Sequence, residues 1–302
     1  MCKIHILLGE NCRICAIILA MNKRILSIQD ISCVGQCSLT VALPIISAAG
    51  IETSILPSAI LSTHTAAGFG KFTFRDLTED LPLINKHWND INVKFDAIYT
   101  GYIGNKSQIE YILNIVDTTL KKGAPLIVDP AMGDNGKLYV GFDKSFVACM
   151  AKLCAKADVI LPNLTEAAYL LNEECKLSGY DKEYIEGLVR RLASLGAKNV
   201  ILTGVSFNDD EVGVCVYNCA TNATSYYLHK KIGQSFHGTG DVFSSSFVGA
   251  LLNGKSYLDA AKIAADITRQ SVALTIDDKD MHWYGVEFEQ VLPEYLKRLG
   301  KI

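Results

Sequence analysis

The stretch Gly238-Thr239-Gly240-Asp241 combines two flexible glycines with a carboxylate, and this combination suits phosphoryl transfer. A strand-like apolar stretch precedes it, and small and apolar residues at helical spacing follow it. Glycines let a backbone approach a ligand closely, and the free N–H groups of a first helical turn bind anions. Because a carboxylate would repel a phosphate, we interpret Asp241 as a base for an attacking hydroxyl. Taken alone, however, the tetrapeptide favours an ordinary capping turn.

Asp129, Asn163 and Glu166 carry hard oxygen atoms and lie just after two short apolar strands. Such side chains suit Mg²⁺, which is held by a few protein ligands together with water and substrate phosphates. Asn163 and Glu166 also have the spacing of a capping box at a helix start. For these two residues the capping and the ligand interpretations both remain open.

Polar residues gather where several predicted strands end. In an open parallel sheet these ends lie at one edge, where ligands bind. Two of the residues have alternative interpretations, because His64 could bond only to backbone and Tyr102 could be a packing residue. The residues at predicted strand ends are Asp30, His64, Thr65, Tyr102, Asp129, Asp134, Asn163, Glu166, Thr203 and Asp241.

Short apolar strands alternate with helices, which indicates an α/β fold with a mostly parallel sheet covered on both faces. We expect one domain over residues 23–302. The pattern predicts a strand over 24–30, a loop over 31–36, and a helix over 38–49 that ends at Gly50 and tolerates Pro44 only near its start or at a kink. It also predicts an antiparallel strand pair over 212–217 and 224–231.

The composition of the 302-residue chain is ordinary, with 49% hydrophobic residues and a formal net charge of -3. The chain has no excess of basic residues, so its charge does not favour nucleic acid or an anionic membrane as a partner. No apolar stretch reaches the length of a membrane span, so we expect a cytoplasmic protein. Residues 1–22 are interpreted as an N-terminal extension of the core fold. Most of the ten cysteines are expected to be reduced core residues, and the C-x-x-C of Cys12 and Cys15 lacks further zinc ligands at matched spacing.

Six motifs in order resemble those of pyridoxal kinases, which belong to the ribokinase-like small-molecule kinases. The resemblance extends from about Lys23 to the C-terminal helices. It implies a three-layer α/β/α fold and the phosphorylation of the 5′-hydroxymethyl group of pyridoxal, pyridoxamine or pyridoxine by Mg-ATP. It further implies a homodimer and activation by a monovalent cation such as K⁺. The motifs are Leu26-Ser-Ile-Gln29, Leu61-Ser-Thr-His-Thr65, Tyr99-Thr-Gly-Tyr102, Val128-Asp-Pro-Ala-Met-Gly-Asp134, Leu161-Pro-Asn-Leu-Thr-Glu166 and His237-Gly-Thr-Gly-Asp241-Val-Phe.

The resemblance also implies roles for individual residues. Asp241 would deprotonate the 5′-hydroxyl, and the amides of Gly238, Thr239 and Gly240 would stabilise the phosphoryl group. Asp129 and Glu166 would act at the metal. The expected nucleotide-binding residues are Asp134, Tyr139, Asn163, Glu166, Thr203, Gly204 and Phe236. The expected vitamer-binding residues are Asp30, Val34, His64, Thr65 and Tyr102.

Asp30 departs from the family pattern, because these kinases usually have a serine there against the vitamin ring. An acid at this position favours a cationic ligand, so we expect a preference for pyridoxamine. The predicted loop over 31–36 is also shorter than is usual in the family.

Two alternative functions stay open at this point. Hydroxymethylpyrimidine kinase shares the fold, although it commonly has a cysteine where this chain has Asp241. A nucleotide- or vitamin-binding regulator without turnover would gain nothing from a base at that position. A sugar kinase is disfavoured, because the early Gly-Gly/Asn signature of sugar binding is missing.

Overall fold

A computed structural model of the chain describes residues 23–233, 236–278, 280 and 283–302. The predicted N-terminal extension and the C-x-x-C motif of Cys12 and Cys15 therefore lie outside the described residues. In the described ranges, no helix is both long enough and apolar enough to cross a bilayer.

Helices and strands alternate through most of the chain, as the apolar pattern predicts. Two short 3₁₀ helices cover Ala67–Phe69 and Glu289–Val291. In chain order the other elements are β1 (Arg24–Val34), α1 (Leu39–Ala48), β2 (Glu52–Thr63), β3 (Phe74–Asp76), α2 (Asp80–Asp90), β4 (Ala97–Thr100), α3 (Lys106–Thr119), β5 (Leu126–Val128), β6 (Gly133–Asp134), β7 (Lys137–Leu138), α4 (Lys144–Lys156), β8 (Val159–Ile160), α5 (Leu164–Leu171), α6 (Lys182–Ala193), β9 (Asn199–Val205), β10 (Glu211–Asn218), β11 (Ala223–Lys230), α7 (Thr239–Leu252), α8 (Tyr257–Asp277) and α9 (Leu292–Leu299).

The central sheet has nine strands in the order β11-β10-β9-β8-β5-β4-β1-β2-β3. All neighbours from β9 to β2 pair in parallel. Strand β3 pairs antiparallel with β2, and β10 pairs antiparallel with β9 and with β11, which confirms the predicted strand pair. Strands β6 and β7 form a separate small hairpin. The carboxyl ends of the parallel strands therefore meet at one edge of the sheet.

Two hydrophobic cores cover opposite faces of this sheet, and consecutive strand residues point alternately into them. In β4, for example, Ile98 belongs to one core and Tyr99 to the other. Helices α2 to α6 close the first core, whereas α1, α7, α8 and α9 close the second. Strands buried on both faces explain the continuous apolar runs in the sequence. The fold is the expected three-layer α/β/α arrangement.

Strand β1 is longer than predicted, because it continues to Val34 instead of ending in a loop after Asp30. It stays paired with β2 as far as Val34 and Thr63. The register of this pairing shifts between Gln29 and Ile31, so Asp30 lies at a bulge inside the strand. The polar Ser32 is tolerated in the buried strand because its hydroxyl donates to Asp30.

Helix α1 ends as predicted, with Gly50 at a φ of 78° just beyond its last turn. Pro44 lies in the middle of this helix, however, and not near its start. A proline there provides no N–H for the carbonyl group four residues earlier, which belongs to Thr40.

Candidate active site

The glycine turn opens α7 as the sequence predicts, and its backbone conformation requires glycine. Gly238 is the N-cap residue, with a φ of 78°, in the left-handed region. A Cβ atom at this position would overlap the carbonyl oxygen of Gln36. The hydroxyl of Thr239 donates to the carbonyl of Phe236 at 3.2 Å. The turn is therefore packed closely against the segment that follows β1, and its N–H groups lie at the start of a 14-residue helix.

Asp241 lies in the first turn of α7 and is only partly exposed. Loss of hydration raises its pKa to about 8, and the negative charges of Asp129 and Asp30 act in the same direction. A hydrogen bond from the backbone N–H of Ser38 partly opposes this rise. A carboxylate with a pKa near the operating pH is well suited to accept a proton from an attacking hydroxyl.

Asp129 comes directly after β5 and is hydrogen-bonded to α7. Its Oδ2 atom accepts a hydrogen bond from Ser244 Oγ at 2.6 Å, and its Oδ1 atom accepts one from the Ala131 N–H at 3.1 Å. Ser244 lies on α7 one turn after Asp241. The carboxyl end of β5 and the helix that carries Asp241 are thus held at a fixed distance from each other. Burial raises the pKa of Asp129.

Asn163 and Glu166 form the predicted capping box at the start of α5. Asn163 Oδ1 accepts from the Glu166 N–H, and Glu166 Oε2 accepts from the Asn163 N–H, both at 2.9 Å. Glu166 also accepts from the Met132 N–H at 3.0 Å, so it anchors the loop after β5. Burial, followed by the charge of Asp129, raises the pKa of Glu166. The capping interpretation is confirmed, and it leaves Glu166 electrostatically coupled to Asp129.

The buried Glu166 and the partly exposed Asp129 form a pair of like charges, and their chemistry fits a divalent cation. Among the described residues, neither carboxylate forms an ion pair with a lysine, arginine or histidine. Within the same residues, no group of three or more His, Cys, Asp or Glu side chains could hold a metal ion by itself. Mg²⁺ is commonly held by one or two carboxylates plus substrate phosphates, so two carboxylates are sufficient when a nucleotide supplies the rest.

The residues expected to border a nucleotide lie on both sides of this pair. Thr203 is bridged to Asn163 across neighbouring strand ends, and Gly204 follows it with a φ of 74°. Asp134 lies in the β6–β7 hairpin, where Asn135 donates to both of its carboxylate oxygens. Tyr139 follows the hairpin with 41% of its surface exposed, and its N–H donates to Met132. The structure therefore brings four of the expected residues to one edge of the sheet.

Phe236 is different, because its side chain packs in the core between the sheet and α7 with 8% of its surface exposed. Its carbonyl oxygen faces the turn through the hydrogen bond from Thr239. Its contribution to a nucleotide site would come from the backbone and not from the ring.

Asp30 is close enough for its charge to act on both Tyr102 and Asp241. Asp30 is 5% exposed, and its Oδ2 atom accepts from Ser32 Oγ at 3.1 Å. Burial raises the pKa of Asp30, while the hydroxyls of Ser38 and Ser32 lower it. Burial, followed by the charge of Asp30, raises the pKa of Tyr102 to about 12. This part of the site therefore holds a buried acid without a basic partner among the described side chains that act on it.

His64 follows β2 and uses both ring nitrogens for backbone hydrogen bonds. Nδ1 accepts from the Ala66 N–H at 3.2 Å, so Nε2 carries the proton and donates to the Tyr284 carbonyl at 2.8 Å. Burial lowers its pKa, so the ring is neutral near pH 7. Its centroid lies 5.1 Å from that of His237. The backbone-bonding alternative is therefore right for the nitrogens, and only the faces and edges of the ring remain for a ligand.

The segment after α8 holds the walls of this pocket. Besides the bond from His64 to Tyr284, Gln36 Nε2 lies 3.0 Å from both carboxylate oxygens of Glu289. The ring of Trp283 lies against Gly68, where a Cβ atom would approach within 2.5 Å. The two remaining vitamer candidates lie at the rim, since Thr65 is exposed and Val34 is 48% exposed.

Sequence reasoning missed three serines that act on the carboxylates, namely Ser32, Ser38 and Ser244. The one available signal for Ser244 is its place one helical turn after Asp241, and Ser245 and Ser246 beside it carry the same hydroxyl group. For Ser38 no signal exists, because a serine before a helix normally indicates an N-cap, and here its side chain makes no capping bond.

The comparisons with known proteins agree with this geometry. Residues 82–283 match the family model described as phosphomethylpyrimidine kinase. A candidate phosphomethylpyrimidine kinase from Bacteroides thetaiotaomicron, crystallised with pyridoxal, is 36% identical with a TM-score of 0.86, covering 90% of this chain and 95% of that one. Pyridoxal kinase from Lactobacillus plantarum is 31% identical with a TM-score of 0.84, covering 91% and 97%. A pyridoxal kinase from Dictyostelium discoideum is 28% identical over 246 residues, covering 76% of this chain and 78% of that protein.

The matched family model spans both Asp129 and Asp241, and the similar structures cover almost the whole described fold. The chain belongs to the phosphomethylpyrimidine kinase family, a ribokinase-like group whose members similar to this chain include pyridoxal kinases.

Proposed function

We propose that this protein transfers the γ-phosphoryl group of ATP to the 5′-hydroxymethyl group of a vitamin B6 vitamer. The observation that carries the proposal is Asp241, a carboxylate with a pKa of about 8 in the first turn of a helix that opens at a glycine turn. The charges of Asp129 and of Asp30 both act on it, which links it to the Asp129–Glu166 pair and to the pocket of Asp30 and Tyr102. Similarity to pyridoxal kinases supports the choice of acceptor.

In the proposed reaction, Asp241 accepts the proton of the 5′-hydroxyl as the oxygen attacks the γ-phosphorus. One P–O bond forms to the vitamer, the bond to the β–γ bridging oxygen breaks, and ADP leaves. The amides of Gly238, Thr239 and Gly240 stabilise the negative charge on the transferring group. Asp134, Tyr139, Asn163, Thr203 and Gly204, together with the Phe236 backbone, border the nucleotide.

Asp129 and Glu166 would hold Mg²⁺ together with the nucleotide phosphates. Bound there, the ion supplies positive charge that offsets the charge of the phosphates. Both carboxylates have raised pKa values and no basic partner in the described chain, so they would be the groups that gain most from a cation. Activation by a monovalent cation such as K⁺ remains a further expectation from the resemblance.

We further propose that the vitamer ring lies among Asp30, Val34, His64, Thr65 and Tyr102, with a preference for pyridoxamine. Asp30 supports this preference, because a buried carboxylate without a basic partner interacts favourably with a cationic amine. The neutral His64 would offer only its ring surface, since both of its nitrogens are already bonded.

Hydroxymethylpyrimidine kinase is the second candidate function, because the matched family model carries a phosphomethylpyrimidine kinase description. A parallel assay decides between the two, with ATP, Mg²⁺ and K⁺ and with pyridoxal, pyridoxamine, pyridoxine and hydroxymethylpyrimidine as acceptors. Turnover of a B6 vitamer with the highest kcat/KM for pyridoxamine is the expected result. Turnover of hydroxymethylpyrimidine alone would refute the vitamer proposal, and no turnover of any acceptor would favour a binding protein without activity.

We also propose a homodimer, as the resemblance implies. The edge strand β3 has all three of its residues exposed and one side without a partner strand in the described sheet. Light scattering coupled to size-exclusion chromatography should give twice the monomer mass. The monomer mass across the micromolar range would refute the dimer.

A further inference from the structure

The hydroxyl of Ser244 bonds away from its own helix. Serine and threonine hydroxyls inside a helix often donate to the carbonyl four residues earlier. In α8 the hydroxyls of Thr268, Ser271 and Thr275 all do so, at 2.8, 3.0 and 2.7 Å. Ser244 is 2% exposed within α7, but its hydroxyl donates to Asp129 Oδ2 at 2.6 Å. This hydroxyl therefore joins α7 to the segment after β5.

The carboxylate of Asp129 receives one donor on each oxygen. Oδ2 accepts from the Ser244 hydroxyl, and Oδ1 accepts from the Ala131 N–H at 3.1 Å. A carboxylate oxygen has two lone pairs, so each oxygen retains one that a cation can use. Rotation of the carboxylate would break both bonds. The two donors thus fix its orientation without using its full capacity for ligands.

The same bond relates Asp129 to the proposed base. Asp241 and Ser244 are three residues apart on α7, so their side chains are neighbours along the helix surface. Asp129 belongs to a segment 115 residues earlier in the chain. A shift of that segment against α7 would lengthen the bond to Ser244. The bond therefore ties the position of the Asp129 carboxylate to the helix turn that carries Asp241.

We propose that Ser244 is a positioning residue that holds Asp129 in the orientation in which it binds Mg²⁺ next to the proposed base. This inference rests on the proposed kinase function and on the placement of Mg²⁺ at Asp129 and Glu166. Groups that hydrogen-bond to a metal ligand orient it, and their loss typically weakens metal affinity or activity by about 10–100-fold. The effect of Ser244 should therefore fall on the metal and not on the acceptor.

Ser244→Ala removes the hydroxyl and retains a residue with high helix propensity. It should raise the Mg²⁺ concentration for half-maximal velocity at least about tenfold, with less than about a twofold change in the KM for the vitamer. Electron paramagnetic resonance of Mn²⁺ added with ADP measures metal binding without turnover, and the Kd for Mn²⁺ should also rise at least about tenfold. Ser244→Thr keeps a hydroxyl and should restore both values toward those of the wild type.

Ser246→Ala is the matched control, since Ser246 lies in the same helix, is 0% exposed and has a hydroxyl without a hydrogen-bond partner in the described part of the chain. It should retain the wild-type Mg²⁺ dependence and Mn²⁺ affinity. An unchanged Kd for Mn²⁺ in Ser244→Ala, or an equal loss in Ser246→Ala, would overturn the role of Ser244.

The binding measurement also separates this inference from the proposed function. A wild-type protein that binds Mn²⁺ with ADP but phosphorylates no vitamer would refute the proposed acceptor, and the Mn²⁺ affinities of the variants would still decide the role of Ser244. A wild-type protein that binds no Mn²⁺ with ADP would overturn the metal site and the role of Ser244 together.

Discussion

Replacing Asp241 by asparagine should remove the base while keeping the shape of the site. The asparagine Oδ1 atom can still accept the hydrogen bond from the Ser38 N–H, so the helix start should be preserved. General base catalysis typically contributes about 10²–10⁴-fold, which corresponds to about 3–5 kcal/mol of transition-state stabilisation. We therefore expect kcat to fall by at least about 10²-fold with little change in the Kd for ATP.

The pKa of about 8 makes this prediction testable as a function of pH. A base acts only when deprotonated, so kcat/KM of the wild type should rise from pH 6 and level off above pH 8, with about one-tenth of Asp241 ionised at pH 7. The Asp241→Asn variant should lose this dependence. Steady-state assays from pH 6 to 9 and calorimetric titration with ATP provide the two measurements.

Asp259→Asn is the matched control, because Asp259 is the third residue of α8 as Asp241 is of α7, and it is exposed. This variant should retain wild-type kinetics. A loss of less than tenfold in kcat for Asp241→Asn, or an unchanged acid limb in its pH profile, would refute the assignment of Asp241 as the base.

Three further predictions follow from the same geometry. A raised pKa means that folding favours the protonated form of Asp241, so between pH 4 and pH 8 the free energy of unfolding should fall as the pH rises. Urea titrations at several pH values should show that the free energy of unfolding of Asp241→Asn falls less over this pH range than that of the wild type. An equal fall in the two proteins would contradict the raised pKa of Asp241. Asp30→Ser should lower the ratio of kcat/KM for pyridoxamine to kcat/KM for pyridoxal by about tenfold, because that is the size of effect expected from losing one hydrogen bond to a charged group. Equal ratios in the wild type and the variant would show that Asp30 does not select pyridoxamine. Gly238→Ala should abolish activity and destabilise the fold more than Gly254→Ala. Gly254 also has a positive φ, 83°, but a Cβ atom there would meet no neighbouring atom. Equal melting temperatures of the two variants would show that the backbone moves to relieve the overlap between the introduced Cβ atom and the Gln36 carbonyl oxygen.

The sequence was sufficient for those features that depend on local chemistry or on strong periodicity. The glycine turn, the capping box of Asn163 and Glu166, and the antiparallel pair β10–β11 each arise from neighbouring residues or simple alternation. The α/β architecture also follows from strands that are apolar on both faces. These features are confirmed because tertiary contacts reinforce the local preference and do not override it.

Contacts between distant segments could not be predicted in the same way. The extension of β1 to Val34 depends on pairing with β2. From the sequence, Gly35 and its polar neighbours predicted a loop in this segment instead. The contacts of Ser38 with Asp30 and Asp241 depend on how three separate elements pack. The tautomer of His64 is fixed by the Tyr284 carbonyl, 220 residues away in the chain. A sequence pattern identifies candidate groups, but it does not specify their hydrogen-bond partners.

The anchoring of the pocket by the segment after α8 has a consequence for biosynthesis. The residues that form the walls of the pocket are synthesised early, since His64 and Gln36 belong to the first quarter of the chain. Their hydrogen-bond partners Tyr284 and Glu289 are synthesised almost last. A nascent polypeptide that has not yet emerged to residue 289 therefore lacks the bonds that fix these walls, even if its sheet has already formed. Competence to bind the acceptor should thus be acquired late in synthesis.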